Sequence, residues 1–237
     1  MITRVAVVPY PPLLIPELTV RSGAETGQLR GACLRAVSSL TEVAAEWVAV
    51  GVDRFGPAVL GPATTGSFSS FGVDVPVSLS AGRPAACGAD PLLPLPALVT
   101  GWLRAQAGAA QATAHLLAPD LEAERCREYG RELAAGPEPV GLLVLADGTN
   151  CRTERSPNPP DERAEPVDEL LRTALAEADA GRLLELDATV AAQVGVEGRA
   201  ALHALAGAAE GGRWRGKLLY SDVPFGVTYH VAVWSRL

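Results

Sequence analysis

The segment ADGTNCRTERSPNPPDER, residues 146–163, gathers Asp147, Asn150, Arg152, Glu154, Asp161, Glu162 and Arg163 directly behind the apolar run PVGLLVLAD. These side chains suit acid–base work and anion binding. Asp147 can serve as acid, base or orienting carboxylate, Asn150 as a donor to a ligand oxygen, and Arg152 or Arg163 as an anion clamp. A local reading competes with the catalytic one: Asp147 binds loop amides, and the arginines pair with the acids to hold a long connection shut. Two other stretches offer partners. VVPYPPLLIPEL, residues 7–18, places the Tyr10 phenol in a prolyl turn whose backbone angles are restricted. GPATTGSFSSFG, residues 61–72, carries Thr64, Thr65 and Ser67, whose amides and hydroxyls can cradle an anion or simply build a turn. It lacks the lysine of a P-loop, and no GxGxxG occurs, so ATP, GTP and NAD are weakly supported.

Imidazole is scarce. His115, His203 and His230 are the three histidines, and no HxH or HxxxH pair joins them. His115 reads as lying near a helix end and His203 as a helix side chain. His230 alternates with Thr228, Ala232 and Trp234 in a terminal strand, where it packs or contacts a ligand. Cys33, Cys87, Cys126 and Cys151 are spaced neither as a zinc ribbon nor as a disulfide framework. Arg152 next to Cys151 would favour a thiolate, but the sequence assigns it no base, so all four cysteines read as packing residues.

Those residues must be positioned by strands and helices. Val5–Val8 reads as a buried strand closing on Pro9. TGQLRGACLRAVSSLTEVAAEWVAV predicts one long helix, with Leu29, Cys33, Val37, Leu40, Ala44, Trp47 and Val48 on a single face. RFGPAVLGP predicts the second strand, and Val73, Val75, Val77 and Leu79 alternate as an edge strand does. Helices follow from about Pro96 and from Pro119 to Gly136. PVGLLVLAD is apolar without alternation, as a central parallel strand requires. Further helical segments precede two last strands in RWRGKLLY and GVTYHVAVW. The order predicts a single α/β domain over residues 1–237, three-layered, with a central mostly parallel sheet flanked by helices. Ligands of such sheets collect beyond the C-terminal strand ends, which makes Tyr10, the Pro62–Ser67 loop and residues 147–163 rivals for one crevice.

Bulk composition narrows the partners. The chain has 237 residues, 48% of them hydrophobic, enough for a substantial core. Its formal net charge of −7 and single lysine argue against binding nucleic acid. No stretch approaches the ~20 apolar residues of a membrane span, and MITRVAVVPYPP does not read as a signal peptide. A reduced cytoplasmic setting is the expectation.

VVPYPPLLIPEL, GPATTGSF, LLVLADGTNCRT, DERAEPVDELL, LLELD and PFGVTYHVAVW, in this order, resemble the subunit-B-like domain of the class III extradiol ring-cleavage dioxygenases, a superfamily shared with MEMO-like proteins. The resemblance runs from the first strand to Trp234. It implies an α/β domain and, in active members, a non-haem ferrous iron that opens catecholic rings with dioxygen. It also implies iron-binding histidines at the positions of Tyr10 and Ala63, an acid–base histidine at Asn150, and an acidic ligand near the last strand, where PFGVTYHV has no clear match. A phenol with an ordinary pKa near ~10 is not a ready neutral ligand for ferrous iron. Alanine has no donor, and an amide does not shuttle protons as imidazole does.

The sequence therefore predicts a diverged member with no cofactor, binding a small polar or aromatic metabolite and acting on it, if at all, without oxygen. Asp147 and Asn150 stand as catalytic candidates; Tyr10, Thr64, Thr65, Ser67, Arg152, Arg163 and His230 stand as ligand-binding candidates. One alternative is an oxygenase or hydrolase with an atypical Fe(II) or Zn site built on acids and His230. Another is a non-catalytic interaction subunit. A homo-oligomer is compatible with each.

Overall fold

Val5 and Val7 point to one face of the first strand and Ala6 and Val8 to the other, and all four are buried. That two-sided burial is the mark of a strand covered by helices on both faces. The computed structural model describes residues 1–19, 23–82 and 89–237, so Cys87 lies outside the described residues. Its first elements are β1 (Ile2–Val8), α1 (Ala24–Thr41), β2 (Glu46–Val52), β3 (Ala58–Leu60), β4 (Thr65–Ser67) and β5 (Pro76–Ser78). Next come α2 (Leu95–Ala107), β6 (Gln111–Leu117), α3 (Ala123–Ala134) and β7 (Val140–Leu145). The chain ends with α4 (Ala164–Glu177), α5 (Ala180–Leu183), α6 (Ala188–Val194), α7 (Arg199–Ala209), β8 (Trp214–Asp222) and β9 (Tyr229–Arg236).

Seven strands form the main sheet in the order β3-β6-β2-β7-β1-β9-β8, and β4 and β5 form a small separate sheet. The four central strands, β6, β2, β7 and β1, run parallel. The margins are antiparallel: β3 against β6, and β9 between β1 and β8. The architecture is thus α/β with a mixed sheet. α1 and α2 pack with one apolar cluster, which also takes Leu143 and Leu145 of β7. α3 to α7 cover the opposite face with Leu142 and Val144. α3 and α7 approach so closely that a Cβ on Gly130 would stand 1.9 Å from the Ala204 carbonyl oxygen.

Two central strands differ from the sequence expectation. The long helix predicted through Val48 stops at Thr41, and Trp47 and Val48 belong to β2. His115, expected near a helix end, sits in β6, where its Nδ1 is 2.7 Å from the Tyr129 hydroxyl. No Gly or Pro separates α1 from β2, so the helical phase runs on in the sequence. The register Glu46↔Gln111 to Val52↔Leu117 supplies the ladder that overrides it.

Candidate functional site

Each of the four parallel strands ends just before a residue that lines a hollow. Tyr10 follows β1, Asp53 follows β2, Pro119 follows β6 and Asp147 follows β7. This is the carboxyl edge of the sheet, where ligands bind in open α/β folds. One hollow, of about 400 Å³, has Tyr10, Asp53, Arg54 and Glu197 on its walls, with Val52, Leu95, Pro96 and Pro119 as its apolar part. A second, of about 170 Å³, is lined by Asp147, Asn150, Glu197 and Tyr229. A third, of about 240 Å³, includes Asn150, Asn158, Pro119 and Glu197. All three meet at Glu197, an exposed residue in the turn between α6 and α7.

Asp147 is tied to the first strand exit: its Oδ1 accepts the Tyr10 backbone N–H at 3.0 Å. Its carboxyl is pushed up to about 7, first by burial and further by the charge of Glu197, while the Tyr10 N–H opposes the shift. It therefore exchanges a proton near neutrality. The Tyr10 side chain is only 7% exposed, and its hydroxyl has no hydrogen-bond partner among the described residues. Burial, followed by the charges of Asp147, Glu197 and Asp53, drives that phenol well above its ordinary value, so it stays neutral. Tyr229, 4% exposed and likewise without a hydroxyl partner among the described residues, is pushed up by burial and then by Asp147. Cys33 is buried on α1, and burial followed by the Asp147 charge holds it as a neutral thiol.

Asn150 is clamped. Its backbone N–H donates to Val194, its Oδ1 accepts from Asn158 Nδ2 at 2.8 Å, and it fills the space beside Gly195. Gly195 has φ +77°, and a Cβ there would stand 1.9 Å from Asn150 Oδ1, so this turn needs glycine twice over. Thr149 is held by a buried carboxylate that the sequence reading missed. Asp168 of α4 accepts the Thr149 N–H at 3.0 Å, the Thr149 hydroxyl at 2.7 Å and the Thr228 hydroxyl at 2.6 Å. Gly148 N–H in turn donates to the Thr228 carbonyl. The loop that carries Asp147 is thereby fastened to the entry of β9.

The other candidates lie elsewhere. Arg152 pairs with Asp168 and Glu165 and lines a separate crevice of about 510 Å³ with His230, Arg172 and Ser221. Strand alternation explains the separation: Tyr229 faces the Asp147 hollow and the next residue, His230, the other side. The His230 Nδ1 lies 3.0 Å from the Ser221 hydroxyl, and burial above all holds its pKa at about 4, leaving it neutral. Arg163 is spent on Asp161 and Gln193. Thr64, Thr65 and Ser67 are not among the residues lining the three hollows around Glu197. Thr65 and Ser67 belong to the small sheet, and the Ser67 hydroxyl donates to Asp74 at 2.5 Å. Cys151 is buried with its Sγ 3.3 Å from the Val194 carbonyl, and burial raises its pKa.

The residues at the two positions where the resemblance implies iron-binding histidines do not make a ferrous cage: Tyr10 presents a neutral phenol and Ala63 has no donor. At the implied acid–base position, the Asn150 amide oxygen is engaged by Asn158. Among the described residues no group of three or more His, Cys, Asp or Glu side chains is placed to hold a metal ion. Among them also, no helix is long and apolar enough to cross a membrane.

No protein-family model and no curated protein matches the chain. Among solved structures, it is similar to the crystal structure of the uncharacterized protein JW3007 from Escherichia coli K12, at 15% sequence identity and a TM-score of 0.60. The match covers 98% of this chain and 99% of that one, and at this identity it shows a shared fold.

Proposed function

We propose that the chain is a diverged relative of the class III extradiol dioxygenases that binds a small polar or aromatic metabolite at the carboxyl edge of its sheet. Asp147 acts there as the proton-transferring group, without oxygen activation. The observation that carries this reading is the Asp147 carboxyl itself. It is half-buried at a strand end, fixed by the Tyr10 N–H, titrating at about 7 and opening on a hollow. A general acid–base group works best with a pKa near the working pH. Tyr10 and Tyr229 supply hydroxyls without partners among the described residues, and Asn150 lines two of the hollows.

The chemistry such a site supports is proton removal from, or return to, a bound carbon or heteroatom acid, as in isomerisation, hydration or hydrolysis of a small molecule. The test is capture from a cell metabolite extract, read by native mass spectrometry of the intact chain. The wild type is expected to retain a discrete small-molecule adduct that Tyr10→Phe and Asp147→Asn weaken by about tenfold, the scale of one charge-assisted hydrogen bond. An adduct unaffected by either substitution would place the ligand elsewhere. Stoichiometric iron or zinc on protein purified anaerobically would instead favour a metal-dependent oxygenase or hydrolase.

A further inference from the structure

Three carboxylates surround one buried tyrosine. Asp53 and Glu197 line the same hollow as Tyr10, and Asp147, whose Oδ1 accepts the Tyr10 backbone N–H, lines the neighbouring hollow with Glu197. Two arginines stand nearby. Arg54 lines the larger hollow with its guanidinium over the Phe55 ring at 4.6 Å, and Arg199, on the wall of the third hollow, donates to the carbonyls of Pro119 and Leu121, so carboxylates outnumber arginines around Tyr10 and Glu197. Tyr10 and Tyr229, both more than nine-tenths buried, line these hollows, and their hydroxyls have no hydrogen-bond partner among the described residues. Val52, Leu95, Pro96 and Pro119 add an apolar wall on the same side.

We propose that this crevice selects small organic cations, namely a protonated amine on an apolar or aromatic body. The ammonium lies among Asp147, Glu197 and Asp53, and the body rests on the wall of Val52, Leu95 and Pro96. The proposal rests on the ligand-binding reading above and narrows it to one charge class. The physical logic is simple. An ammonium is the donor that several carboxylates and two acceptor hydroxyls jointly satisfy, and aromatic faces add attraction for a cation. An anionic ligand would meet the same carboxylates as repulsion. Bound cation also favours the charged form of Asp147, so affinity rises with pH through the range in which that carboxyl, facing Tyr10, Tyr229, Glu197 and the Cys33 thiol, gives up its proton.

The experiment uses three probes of matched size on the full chain: phenethylamine, 2-phenylethanol and 3-phenylpropionate, titrated by calorimetry at low salt. Phenethylamine is expected to bind at least about tenfold more tightly than either of the others. Glu197→Gln, a change at an exposed side chain, is expected to remove most of that preference while leaving 2-phenylethanol binding unchanged. Equal binding of all three probes, or preference for the neutral or anionic one, overturns the charge class and leaves the ligand-binding reading standing. Saturable binding by none of them counts against both. A preference for phenethylamine that survives Glu197→Gln together with Asp53→Asn overturns the assignment to this crevice.

Discussion

At Asp147 a single carboxyl combines a structural bond with a chemical opportunity. Its Oδ1 closes the turn after β1 by accepting the Tyr10 N–H, while burial and Glu197 keep its proton bound to about neutral pH. The same shift has a stability signature. The folded value, about 7, lies above the ordinary carboxylate value, so between the two the native state holds a proton that the unfolded chain has released. That contribution is full below the ordinary value and is lost as pH rises through about 7. Asp147→Asn keeps the acceptor oxygen and removes the titration. Melting curves at pH 5 and pH 8 are therefore expected to show the variant gaining on the wild type at pH 8. An identical difference at both pH values would mean that the native carboxyl titrates normally. Tyr10 is the counterpart: its backbone N–H is used by the fold, while its hydroxyl has no hydrogen-bond partner among the described residues.

At the level of elements, Asp168 joins three segments that the chain order keeps far apart. From α4 it receives hydrogen bonds from the loop after β7 and from the residue before β9, and Arg152 adds a fourth at 3.2 Å. Asp168→Ala leaves two buried threonines without their acceptor and Arg152 with Glu165 alone, and is expected to cost about 3 kcal/mol in denaturant unfolding. A cost below about 1 kcal/mol would show that the loop is held by other contacts. The sequence was uneven as a guide to these elements. β7 was legible because VGLLVL has no polar interruption, and β9 because its residues alternate. β2 and β6 were not, since EWVAVGV follows a helix without a breaker and QATAHLL is rich in alanine. A strand of small residues draws its stability from its neighbours in the sheet, which a local reading does not see.

Across the whole molecule, the parallel core of the sheet accounts for the site. Four strand ends deliver Tyr10, Asp53, Pro119 and Asp147 to one edge, and the turn between α6 and α7 brings Glu197 over them. Tyr10 and Asp147 were readable from sequence because each follows a recognisable strand. Asp53 was hidden with β2. Glu197 sits in a short turn with no motif, and Tyr229 was passed over for His230, although strand phase aims the tyrosine at the hollow. The separate Arg152–His230 crevice shows how a residue chosen for its chemistry alone lands on the wrong side of a strand. The central claim is that this edge is a working site with Asp147 as its proton carrier, and carbon-13 NMR of the aspartate carboxyls tests it most directly. The Asp147 signal is predicted to titrate with a midpoint near 7, moving downward in Glu197→Gln. A midpoint in the ordinary carboxylate range, near ~4, unmoved by that substitution, would contradict the account.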